Sequence, residues 1–192
     1  MPMAQPGTSG ALYVIDTKLS QFTVQAFASG MISVVAHSPK IAIRDWTGEA
    51  GFVPDSLKEA FLVVRGKTAS FEVLDELRDD DRRQLQRVMK EEVLEVTTFP
   101  EFVFESSAVN AEKRRQDLYR VNVVGKLTLH GVTNSHSFFA QVAFGVDSFR
   151  AYGEFTILQT DYRIKVASIA AGTLKLQDEL KCSFYAVARK KA

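Results

Sequence analysis

The chain has 192 residues, 46% of them hydrophobic and 24% charged, with a formal net charge of +1. That is the size and composition of one globular domain with a sizeable core. Acids and bases are spread along the whole length, leaving no basic stripe to hold a phosphate backbone, so nucleic acid is not expected as a partner.

Met1 to Gly10 is small and polar and reads as a flexible tail ahead of a single domain over residues 11–192. It lacks the basic start and apolar stretch of a signal peptide, so the chain as numbered is expected in the cytoplasm. A leader removed beforehand would make it periplasmic. The lone cysteine, Cys182, forbids an internal disulfide and fits a reducing compartment, although a disulfide-free periplasmic protein would look the same. No integral membrane segment is expected, because no run of about 18 apolar residues occurs.

From Gln21 onward most of the sequence alternates with a period of two. Phe22, Val24 and Ala26 share one face. Tyr119, Val121, Val123, Gly125, Leu127 and Leu129 share another, opposite Arg120, Asn122, Lys126 and Thr128. Phe138, Ala140, Val142 and Phe144 follow, then Phe149, Ala151, Gly153, Phe155 and Ile157. The last run is Leu174, Leu176, Leu180, Cys182, Phe184 and Ala186. Side chains alternate across a strand, so each run is a half-buried antiparallel strand with one dry face.

Turn signals separate the runs at Pro54-Asp55-Ser56, Arg65-Gly66-Lys67, Asn110 to Asp117, His130-Gly131 and Gly145-Val146-Asp147. About eight strands result, several of them longer than the usual length of about 5–6 residues. Long strands with single dry faces must close on themselves or pack on a second sheet, and closure removes exposed edges.

Asp79 through Val96 breaks the alternation. Its apolar residues fall at Leu85, Val88, Met89, Val93 and Val96, a helical spacing, with Asp79, Asp80 and Asp81 suited to a helix N-terminus. A helix of more than three turns is predicted near Asp81 to Leu94, ended by Phe99-Pro100. A short helical or irregular stretch is predicted from about Leu158 to Ile169.

Chemistry-bearing patterns are sparse. His37, His130 and His136 have no metal-ligating spacing, so no metal or nucleotide cofactor is expected. His130 falls in a turn and His136 is assigned to the polar side of its strand. Neither a Gly-x-Ser-x-Gly elbow nor a glycine-rich phosphate loop occurs. Asp178, Glu179 and Asp161 read as surface acids beside Lys175 and Lys181, and Cys182 as a core filler. The expectation is a protein that is not an enzyme. The aromatic load is high, with 14 phenylalanines, five tyrosines and Trp46. An eight-stranded barrel can fill its interior with such side chains or hold one ligand there, and alternation alone leaves both open.

Three stretches together resemble the YceI-like family: Tyr13-Val-Ile-Asp16 with Ser20-Gln-Phe-Thr-Val24; Val93-Leu-Glu-Val96 through Phe99-Pro-Glu-Phe-Val-Phe-Glu-Ser106; and Gly125-Lys-Leu-Thr-Leu-His-Gly-Val-Thr133. Gly153-Glu-Phe-Thr-Ile157, Thr160-Asp-Tyr162 and Leu176-Gln-Asp-Glu-Leu180 extend the similarity, which covers about Leu12 to Arg189. The resemblance implies a mainly β, extended eight-stranded antiparallel lipocalin-like barrel with one inserted helix. It further implies binding of a long apolar molecule such as a polyisoprenoid, an isoprenoid quinone or a fatty-acid derivative. Two positions depart from the family: Gln159 and Arg163 stand near places where many members have Arg and Gly.

Taken with the dry faces, this gives a predicted ligand tunnel. Its walls are Phe22, Val24, Ile41, Ile43, Phe102, Phe104, Tyr119, Val121, Phe138, Phe149, Phe155 and Phe184, with Trp46 and Tyr162 near an opening. Storage, transport or protection of that ligand is the leading function. An enzyme acting on a lipid held in the tunnel, or a ligand-free interaction scaffold, are the alternatives. The oligomeric state is left open, a homodimer included.

Overall fold

A computed structural model describes residues 10–29, 38–53, 56–166, 168–169 and 174–191. The tail ahead of Gly10, His37 and the Pro54-Asp55 turn signal lie outside the described residues. The alternating runs form β1 (Ala11–Ile15), β2 (Gln21–Ser29), β3 (Lys40–Ile43), β4 (Trp46–Val53), β5 (Ser56–Lys67) and β6 (Phe71–Val73) in the first part of the chain. After the helical segment come β7 (Glu101–Arg115), β8 (Leu118–Leu129), β9 (Val132–Phe144), β10 (Ser148–Leu158), β11 (Ser168–Ile169) and β12 (Leu174–Lys190).

Antiparallel pairing runs β1-β4-β5-β7-β8-β9-β10-β12, and β12 pairs back onto β1 through Tyr13↔Lys190 and Ile15↔Ala188, closing an eight-stranded barrel. The count of about eight is thus right for the ring, while the chain is cut into more segments. β1 and β2 both run beside β12, with a break at Asp16 to Ser20. β3 pairs with β2 and β4 with β1, separated by Arg44-Asp45, and a 3₁₀ turn at Thr68–Ser70 separates β5 from β6. Long strands wound round a narrow barrel must bend, and these breaks let them do so. β12 also shifts register between Leu176 and Leu180, its pairing with β2 resuming at Ala26.

The predicted helix is present. α1 (Asp79–Val88) carries Asp79, Asp80 and Asp81 in its first turn, where acids meet the positive end of the helix dipole. It continues through a π-helical turn, Met89–Val93. The helix lies beside β6, the last strand of the pairing path. Gln86 completes that contact: its Oε1 accepts from Val73 N at 2.9 Å and its Nε2 donates to Phe71 O. An otherwise open sheet edge is thereby covered.

Two turn readings need correction. Arg65-Gly66-Lys67 lies inside β5, paired with β7. Gly66 is there because a Cβ would strike the Phe102 ring and come within 3.1 Å of Trp46 Cβ. Asn110 to Arg115 is strand, paired with β8 down to Arg115↔Leu118, and only Gln116-Asp117 turns. Polar composition at a strand end imitates a loop when the strand projects past the barrel into water. His130-Gly131 does turn, with φ of 50° and 73°. Positive φ at both central residues is what a tight hairpin requires, and Gly131 meets it without a Cβ penalty.

Arg163 has φ 56° and ψ 22°, in the left-handed region at the end of the 3₁₀ turn Thr160–Tyr162. That conformation costs a residue with a Cβ about 1–2 kcal/mol. Glycine's extra unfolded-state entropy returns about 0.5–1 kcal/mol of it. Arg163→Gly is therefore expected to stabilise the fold by about 0.5–1 kcal/mol, read as a rise in thermal midpoint of roughly 1–4 °C. A lowered midpoint would show that contacts of the Arg163 side chain outweigh the backbone strain.

Candidate functional site: an uncharged apolar cavity

The dry faces of the barrel strands turn inward and leave a cavity of about 280 Å³. Phe22 and Val24 of β2, Ile41 and Ile43 of β3, and Trp46 of β4 line it. So do Phe102 and Phe104 of β7, Val121 of β8, Phe138 of β9, Phe149 and Phe155 of β10, and Phe184 of β12. Closure points these alternating faces at one another. Aromatic contacts run across the interior: Phe22 lies 5.9 Å from Trp46 and 6.1 Å from Phe102, and Phe138 lies 5.3 Å from Phe155 and 5.7 Å from Phe184.

Two predicted residues are not in the wall. Tyr119 packs edge-on against Phe144 at 5.4 Å, within a cluster of Tyr13, Phe52, Phe144 and Phe149 rings at one end of the barrel. Tyr162 is 2% exposed in the 3₁₀ turn after β10 and does not touch the cavity. Nor does either residue predicted near an opening sit at the surface, because Trp46 is 6% exposed.

Other wall residues escaped the sequence reading. Leu85, Val88, Met89, Val93 and Leu94 of the helical segment line the cavity, joined by Phe71 of β6. The helical spacing carried the signal for most of these, since an amphipathic stripe needs an apolar partner. His136 also lines the cavity, which corrects its assignment to the polar side of β9. It has the same parity as Phe138, Ala140 and Val142, so the period of two contained the answer. A polar residue type obscured it.

Among the described residues, only His136 and Gln159 bring strongly polar side chains to the wall, and none of the lining residues carries a formal charge in its ordinary state. Gln159 is 3% exposed and donates through Nε2 to the Gln177 carbonyl at 3.0 Å. Burial pushes the Cys182 thiol up to about 12, so it stays protonated. Burial also lowers the His136 pKa, keeping its imidazole neutral near pH 7. Among the described residues, His136 Nε2 is the one buried side-chain nitrogen or oxygen without a hydrogen-bond partner.

The remaining polar groups serve the frame. His130, 7% exposed, joins Glu95 Oε2 at 3.0 Å through Nε2 and the Tyr162 carbonyl at 3.2 Å through Nδ1, with its ring 4.0 Å from that of Phe99. It ties the end of the helical segment to the 3₁₀ turn. Asp178 accepts from Thr160 N at 2.9 Å and from its hydroxyl, holding the start of that turn. Lys181 pairs with Glu154 at 3.0 Å. No group of three or more His, Cys, Asp or Glu able to hold a metal exists among the described residues. No helix among them is long and apolar enough to cross a membrane.

A family model described as a YceI-like domain matches residues 13–188. The structure of Burkholderia cenocepacia BcnA is similar at 19% identity and a TM-score of 0.70, over 90% of this chain and 98% of that one. A polyisoprenoid binding domain from Saccharophagus degradans, implicated in plant cell wall breakdown, is similar at 11% identity and a TM-score of 0.64, over 93% and 98%. The Campylobacter jejuni YCEI protein follows at 16% identity and a TM-score of 0.60, over 82% and 87%. At these identities the three structures speak for the fold. A comparison with curated proteins finds no match.

Proposed function

We infer the function from one premise: the chain belongs to the YceI-like domain family. We propose that it binds a long apolar molecule, a polyisoprenoid, isoprenoid quinone or fatty-acid derivative, inside the barrel for storage, transport or protection. The observation that carries this reading is a closed barrel around a cavity whose described lining residues are uncharged and almost wholly apolar. The structural relative from Saccharophagus degradans, described as a polyisoprenoid binding domain, supports the ligand class.

The cavity sets a scale. A dry cavity of roughly 150 Å³ takes one benzene, so 280 Å³ holds roughly a dozen carbons of a chain. Burying that many methylenes gives about 10 kcal/mol gross at about 0.8 kcal/mol each, from which the lost freedom of chain and protein is subtracted. A longer tail extends past the cavity as it stands. Binding on these terms requires no metal or nucleotide and no catalytic group. The protonated Cys182 on the wall supports binding over covalent chemistry, because the thiolate is the nucleophile.

Native mass spectrometry of protein purified from cells, followed by organic extraction, tests the proposal. The expected result is a protein-bound apolar species released by solvent. Protein that carries none, and takes up none when incubated with a prenyl alcohol, would leave a ligand-free scaffold as the better reading. Turnover of such an alcohol would instead favour an enzyme.

A further inference from the structure

Of the two strongly polar side chains in the described cavity wall, His136 is the one with a buried nitrogen that lacks a partner. It projects from the inner face of β9 opposite Gly125 of β8, and Gly125 offers no side chain on that face. On its other side the Phe155 ring lies 5.1 Å away. The pairing of β9 with β10 runs from Phe144↔Phe149 to Phe139↔Glu154, so His136 lies beyond it, while the pairing with β8 continues through Val132. The imidazole Nε2 has no hydrogen-bond partner and is packed out of reach of a water molecule, so a ligand oxygen reaches it once the ring turns toward the cavity that His136 lines. Native proteins seldom leave such an atom unpaired, since a buried donor or acceptor without a partner destabilises the fold. A ligand atom arriving in the cavity would supply what is missing.

We propose that His136 Nε2 is the hydrogen-bonding point for a neutral oxygen, a hydroxyl or a carbonyl, carried by the apolar ligand. This rests on the ligand-binding function proposed above and narrows its ligand class. Neutral imidazole carries one donor and one acceptor nitrogen, so it suits a hydroxyl in either role or a carbonyl as donor. Among the described residues no Lys or Arg lines the cavity, so a phosphate or carboxylate brought to His136 would be buried without a counter-charge from them, at high cost. Burial lowers the His136 pKa, so protonating the imidazole to meet such an anion carries a desolvation cost of its own. The wall discriminates against anions and for neutral oxygen.

Trp46 is the only tryptophan and lines the cavity, so its emission reports ligand entry. Binding of three probes of equal chain length, a tetraprenyl alcohol, its hydrocarbon and its phosphate, is compared in the full chain. The wild type is expected to bind the alcohol at least about fivefold tighter than the hydrocarbon, as one satisfied buried hydrogen bond predicts. His136→Phe, which keeps a ring in place, should abolish that preference, bringing the ratio of alcohol to hydrocarbon affinity to about one. His136→Gln, which keeps a hydrogen-bonding group, should retain part of it. A merely structural role for His136 would weaken hydrocarbon and alcohol alike, and that result overturns the proposal. So would a preference that persists in His136→Phe, no preference in the wild type, or phosphate bound more tightly than alcohol. If none of the probes binds, the ligand-binding function itself fails, an outcome distinct from equal binding of hydrocarbon and alcohol.

Discussion

Phe155→Trp is expected to weaken binding of the apolar ligand roughly 5- to 150-fold, lowering the amount extracted per mole of protein, while the thermal midpoint holds. Phe155 lines the cavity from β10 between the rings of Phe138, at 5.3 Å, and His136, at 5.1 Å. An indole there grows into space that a ligand would occupy. Overpacking a filled core costs about 1–3 kcal/mol. Where the extra atoms enter a cavity, that cost falls on binding instead of folding, and about 1.4 kcal/mol corresponds to a factor of ten in affinity, which gives the stated range. Stability and extracted ligand are measured on the same preparation. Unchanged loading with a midpoint lowered by several degrees would mean that Phe155 is core and the tunnel reading is wrong.

Gly125→Val is expected to destabilise the fold strongly. Gly125 is buried in β8 beside the irregularity between Ser106 and Ala108 of β7. A Cβ added there would lie 2.7 Å from the Phe104 ring and 2.8 Å from Ser106 Cα, and would also strike the Glu105 carbonyl. A ring can rotate away, but two backbone atoms of a paired strand cannot move without breaking the ladder. The cost is expected to be about 3 kcal/mol or more, a large share of the roughly 5–15 kcal/mol by which domains are stable. At about 2–4 °C per kcal/mol, that lowers the thermal midpoint by roughly 6–12 °C or more. Gly145→Ala is the control. Its Cβ would meet only Ser148, the hydroxyl at 3.0 Å and the carbonyl at 3.5 Å, and it should stay within about 0.5 kcal/mol of wild type. Equal loss in both variants would remove steric exclusion as the reason for glycine at position 125.

The sequence by itself determined which side of each strand is dry. Val121, Val123, Leu127 and Leu129 are buried as their spacing requires, and Phe149, Ala151 and Ile157 likewise. It also determined that residues 79–93 leave the sheet as a helix, because the apolar period changes there from two to about 3.6. His136 was legible in principle by its parity with Phe138. Position along the barrel axis was not legible. Tyr119 and Val121 share a face, yet Val121 meets the cavity while Tyr119 joins the aromatic cluster at one end. Alternation is a local property that fixes inside against outside. Where an inward side chain falls along the axis depends on the register of β8 with β7 and β9, which alternation leaves unspecified. Whether the aromatic rings fill the interior or leave it open likewise depends on closure of β12 onto β1 and on the helical segment that walls the cavity. Only the tertiary structure sets those distances, and with them the cavity that His136 lines with its Nε2 unpartnered.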